Sequence, residues 1–132
     1  MTNSPEIENI IEQAIAFAKE RKHQYCTVEH LLLALITHTP FKKCLDGFGA
    51  DVDLMIQEVS SYLDGLHAIE LHNVAAEQVQ PRKTNSLERV MNRSVTQVLF
   101  TGRRQVTTID LYLSMASEGN SHAHYFLLKY GV

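Results

Sequence analysis

Seven histidines, two cysteines, and a carboxylate at the head of an apolar run are the residues of this chain whose types could do chemistry. Glu29-His30 is a fragment of the H-E-x-x-H pattern that holds zinc, but the rest of the pattern is missing. His122 and His124 would fall on different sides of a helix, and His67 and His72 sit in a stretch without helical period. A zinc site wants ligands on one helix face with a third converging on them, so these histidines read as structural or solvated. No metal or cofactor is expected. No Ser/His/Asp or Cys/His arrangement can be argued, and Cys26 and Cys44 are expected to serve as small buried side chains. What remains is charge in two places. One is Glu29, with His23 and Gln24 just upstream; the other is Arg89 and Arg93, a helical turn apart beside Asn92 and Thr96. By itself Glu29 reads as a helix-start acid favoured by the dipole, and the arginine side as a solvated face. Arginine is nonetheless enriched in interfaces, because its planar fork pairs with carboxylates.

These residues need elements to position them. Glu29 belongs to Thr27–Ile36, T-V-E-H-L-L-L-A-L-I, where seven of ten residues are apolar. Leu and Ala favour helix and Thr27 is a good N-cap. A helix apolar on nearly every side must be surrounded by other helices, which predicts the central helix of an all-α domain. Eighty residues on, Thr107–Ala116 reads T-T-I-D-L-Y-L-S-M-A, with Thr107 and Asp110 forming a variant capping box. The same offset relates Ile7, Ile10, Ala14 and Ala18 to Leu87, Val90, Ser94 and Val98, so the chain reads as a tandem repeat. Ser4-Pro5-Glu6 opens a helix running to about Arg21, and Thr39-Pro40 opens a brief one stopped by Gly47 and Gly49. Asp51 caps another, which ends at Gly65. Thr84-Asn85-Ser86 opens the second copy, a helix stopped by Gly102, and Asn120-Ser121 starts the last one. The reading is a single domain: repeat one over 4–65, a surface linker over 66–83 with Ile69, Leu71 and Val74 against the fold, and repeat two over 84–132. The two repeats are expected to be related by a pseudo-twofold, with about seven helices because the second lacks its last.

Composition narrows the function classes. With 12 basic against 15 acidic residues the net charge is −3, whereas a nucleic-acid binder of this size shows a basic excess. Apolar residues make up 45% and charged residues 20% of the 132, ordinary for a globular domain. The start Met-Thr-Asn-Ser-Pro-Glu carries no signal segment, and no apolar run reaches membrane-spanning length, so a reducing, cytoplasmic setting is expected.

The doubled unit with T-V-E-H-L-L-L-A-L at its second helix resembles the N-terminal domain of the Clp (Hsp100) AAA+ unfoldases, most of all the ClpA branch. The likeness extends through H-Q-Y-C-T-V-E-H (23–30), L-E-R-V-M-N-R-S-V (87–95), G-R-R-Q-V-T (102–107) and S-H-A-H-Y-F-L-L-K (121–129). It implies a non-enzymatic, monomeric protein-binding module that sits on an ATPase ring and docks a ClpS-like adaptor or a protein substrate for a Clp protease. It also implies an adaptor-facing surface comprising Glu29, Thr84, Arg89, Arg93 and His23. Two departures qualify it. No G-x-x-x-x-G-K-[ST] occurs, so ATP hydrolysis by that route is not expected. Relatives of the ClpC type carry a glutamate in each repeat and can read phosphoarginine; Ile109 stands at the second position here, which breaks that pair. A free-standing decoy that occupies adaptors is the alternative use of such a chain, and an enzyme without a recognisable motif the remote one.

Overall fold

Proline in the first turn, with Glu6 and Glu8 beside it, starts α1 (Pro5–Glu20), whose buried stripe is Ile7, Ile10, Ala14 and Ala18. The computed structural model describes residues 5–21, 23, 25–65, 81–102, 105–119 and 121–130. After α1 come β1 (Tyr25–Cys26), α2 (Val28–Thr37), α3 (Thr39–Gly47) and α4 (Val52–Asp64). The second half holds β2 (Arg82–Lys83), α5 (Asn85–Phe100), α6 (Thr108–Ala116) and α7 (His122–Lys129). Among the described residues the fold is therefore all-α, with seven helices in tandem order and no second-repeat counterpart of α4.

The repetition is visible at the level of burial. The buried positions of α5, Leu87, Val90, Ser94 and Val98, are those of α1 displaced by the repeat offset. Polar caps start α4, α5 and α7, whereas Thr39, expected as the cap of α3, lies inside that helix and its N-cap His38 makes no side-chain cap bond. Thr84 Oγ1 accepts from the Leu87 N–H at 3.2 Å, Asp51 Oδ1 from Leu54 at 3.2 Å, and Ser121 Oγ from His124 at 3.1 Å. Gly49, at φ 82°, and Gly102, at φ 73°, take the left-handed conformation that turns the chain after α3 and α5.

α2 lies at the centre and packs against every other helix. All its residues from Val28 to Ile36 are buried. A leucine or isoleucine taken out of water contributes about 1.5–3 kcal/mol, so this one helix carries a large share of the burial. Arg21 on Asp64, at 2.7 Å, and Lys129 on Glu58, at 2.7 Å, tie α4 to the end of α1 and to α7.

Two features differ from the sequence reading. Cys26 is buried as expected, and burial pushes its thiol up to about 12, but Cys44 is exposed on the outer side of α3. The second is a short parallel pairing at the end of the expected linker, Tyr25 with Arg82 and Cys26 with Lys83. The Thr84 N–H continues it onto the Cys26 carbonyl at 3.1 Å, so the N-termini of α2 and α5 lie side by side. Residues 66–80, with Ile69, Leu71 and Val74, are outside the described residues. No described helix is long and apolar enough to cross a membrane.

Candidate docking edge at the helix N-termini

Two side chains in the first turn of α2 settle how that helix begins. The Thr27 N–H donates to His30 Nδ1 at 2.9 Å, while Thr27 Oγ1 accepts from the His30 N–H at 3.4 Å, a capping box closed by a histidine. Since Nδ1 accepts a backbone proton, the neutral His30 ring carries its own proton on Nε2. That nitrogen lies 2.9 Å from His23 Nδ1, which must accept. Burial, then the neighbouring His23 and Arg21, push His30 down to about 3.

Glu29 is turned inward, only 8% exposed. Its Oε2 accepts from the Ala123 N–H at 3.2 Å, satisfying one of the orphan donors in the first turn of α7. A carboxylate from one repeat thus caps a helix of the other. Burial raises the Glu29 carboxyl above its usual range, opposed by the Ala123 N–H and by nearby His122. His122 in turn stacks on Tyr62, ring centroids 4.4 Å apart, with the Tyr62 hydroxyl 3.1 Å from Nδ1.

On α5, Arg89 and Arg93 converge on Glu118, in the turn after α6. Arg89 grips it with Nη2 on Oε2 at 2.9 Å and Nε on Oε1 at 3.4 Å, a two-pronged contact. Arg93 Nη2 donates to Oε1 at 3.1 Å and its Nη1 to the Ser114 carbonyl at 2.8 Å. The Arg89 side chain stays 57% exposed and Glu118 only 11%. Arg89, ahead of Arg93, holds the Glu118 carboxyl below its usual range. In repeat one the corresponding positions are Asn9, Gln13 and His38, which line a recess with Phe17, and His38 Nε2 lies 3.2 Å from Glu6 Oε2. A second kind of surface lies between α3 and α6, a groove of about 420 Å³ lined by Phe41, Phe48, Ile109, Tyr112 and Tyr130 with exposed Cys44.

The model of the Clp repeat (R) N-terminal domain matches residues 3–130. The chain belongs to the Clp N-terminal domain family. A ClpA homolog protein of Fuscovulum blasticum is 29% identical over 124 residues, covering 94% of this chain. The chain spans 15% of that relative's length. Its fold is similar to the Hsp104 N-terminal domain of Candida albicans, with TM-score 0.83 and 13% identity over 100% of this chain and 83% of that one. The N-terminal domain of ClpV1 ATPase from E. coli gives TM-score 0.75 at 19% identity, covering 96% and 75% of the two chains. That of ClpD from Arabidopsis thaliana gives 0.72 at 18%, covering 98% and 85%.

Within this Clp N-terminal domain the expected site residues divide. Arg89 and Arg93 come together through Glu118, and Thr84 caps the N-terminus of the same helix. Glu29 and His23, which the resemblance placed on the adaptor-facing surface, are both buried. His23 is buried because its ring closes the His30 cap, and Glu29 because it caps α7. The edge also contains a residue the sequence reading misses, Glu118. Its repeat-one counterpart is His38, and it stands 29 residues from Arg89, so no local spacing signals the contact.

Proposed function

We propose that this domain is a non-catalytic docking module whose Thr84–Arg89–Arg93 edge receives a ClpS-type adaptor, or a protein substrate, for a cytoplasmic Clp protease. The observation that carries the reading is the asymmetry between repeats on a shared scaffold: two arginines gathered on Glu118 in one, Asn9, Gln13 and a His38 set on Glu6 in the other. Arg89 keeps more than half of its side chain in solvent, and an ion pair held by so exposed a partner adds little stability. Guanidinium donors do suit a partner that offers carboxylates. Calorimetry with a purified ClpS-type adaptor tests this. Micromolar or tighter binding is expected, weakened about tenfold or more by Arg93→Glu and left unchanged by Gln13→Glu at the matching place in repeat one. An absence of heat with every such adaptor removes the reading.

The groove beside Ile109 favours a second reading, direct capture of an apolar segment of a substrate. Phe48 is 85% exposed and Ile109 48%, an aromatic-lined recess of the sort that takes protein side chains. Ile109→Glu would abolish binding of an unfolded test substrate while leaving adaptor affinity intact; the opposite pattern rejects it.

A further inference from the structure

Glu118 is the residue of the docking edge that no spacing argument finds, and its contacts say what it does. Arg89 and Arg93 stand one turn apart on α5, where like charges repel and two long side chains would otherwise spread into solvent. Glu118 opposes both tendencies. One nearly buried carboxylate takes the fork of Arg89 through Nε and Nη2 and the Nη2 of Arg93, using both of its oxygens. Two further anchors complete the frame: Arg89 Nη2 on Ser86 Oγ at 3.1 Å, and Arg93 Nη1 on the Ser114 carbonyl at 2.8 Å. Each guanidinium is thereby fixed by more than one bond. Among the described residues Arg89 Nη1 makes no hydrogen bond, and it belongs to a side chain that is more than half exposed. The trio keeps a net positive charge of one, with donors ordered in advance. A side chain already ordered loses less entropy on binding than a free one, which is the usual source of preorganised affinity.

We infer that Glu118 is the positioning residue of this edge, holding Arg89 so that its outer N–H groups meet a carboxylate of a protein partner. The inference rests on the docking reading above. A competing role would be a gate, in which Glu118 occupies the arginines and must be displaced. The roles predict opposite signs on removal of the charge.

The test compares the native domain with Glu118→Gln and Glu118→Asp, using a purified ClpS-type adaptor and surface plasmon resonance. If Glu118 positions Arg89, Glu118→Gln raises the dissociation rate about tenfold, while association stays the same or rises up to about threefold as one negative charge is lost. Glu118→Asp recovers part of the loss. Glu118→Gln combined with Arg89→Ala binds no worse than Arg89→Ala alone, because the two act through one contact. Unchanged or tighter binding by Glu118→Gln overturns the inference and leaves the docking reading standing. So does strict additivity of the two substitutions. A readout free of any partner separates the two failures: the Arg89 Nε–H resonance is expected to be sharp and slow to exchange in the native domain and broadened in Glu118→Gln. Equal exchange in both proteins overturns the inference even if no adaptor binds.

Discussion

α2 and α6 are the same element used twice, and they end up in different surroundings. Both begin with a threonine cap and a capping box, closed by His30 in one and by Asp110 in the other. α2 is buried on every side by the other helices, whereas α6 buries Asp110, Leu111, Ser114 and Met115 and leaves Ile109 and Leu113 open. Leu33 is 1% exposed and its counterpart Leu113 44%. The difference follows from what packs outside each helix. α4 covers α2, and no described helix takes the matching place against α6. The helix of the first copy is enclosed, whereas that of the second keeps one side open, where Ile109 lines the groove beside α3.

The largest effect that could break this comparison is in the leucines. Leu33→Ala is expected to cost about 2–5 kcal/mol, the range for a buried leucine, and Leu113→Ala under about 1 kcal/mol. Chemical denaturation measures both, and equal costs would mean the two helices are buried alike.

Acid should strike α2 through its cap. His30 is held near 3 in the folded domain against its ordinary 6.5, so below 6.5 the unfolded chain binds a proton that the native state refuses. Stability is then fully present above about 6.5 and falls as the pH drops toward 3. His30→Asn should cost about 1–2 kcal/mol at neutral pH and flatten that slope. A urea midpoint that stays level from pH 7 to 4 would show that the buried pair is not what it is described to be.

Glu29 and Ile109 occupy matching positions with opposite duties. Glu29→Ala leaves the Ala123 N–H of α7 without its acceptor and should cost about 1–2 kcal/mol, more than Ile109→Ala. Glu29→Gln keeps an acceptor oxygen and should fall between native and Glu29→Ala in thermal denaturation. The smallest effect is at the edge: Arg89→Ala should shift the melting temperature by no more than about 2 °C while weakening adaptor binding. A large stability loss there would make the arginines scaffold rather than surface.

Much of the helix layout was legible because its causes are local. Thr27, Asp51, Thr84, Thr107 and Ser121 mark helix starts through bonds within one turn, and Pro5 through its fixed φ. The stripe Ile7, Ile10, Ala14, Ala18 and its echo at Leu87, Val90, Ser94, Val98 is likewise a matter of helical period. The polar face of Arg89 and Arg93 was legible from helical spacing, and both side chains are exposed or half-exposed on α5. The inward turn of Glu29 and His23 was not, and neither were the pairing of Cys26 with Lys83 and the exposure of Cys44.

By itself, then, the sequence determines that two copies of one helical unit form, where most of the helices start, and which stripe of each is apolar. The tertiary structure alone decides which copy is enclosed and which polar groups meet. Glu29 finds its N–H donor 94 residues away and Arg89 its carboxylate 29 residues away. Such contacts exist only after the helices have docked. A carboxylate at a helix start has the same local reasons to be there whether it ends in solvent or against another helix; only the packed neighbour separates the two outcomes.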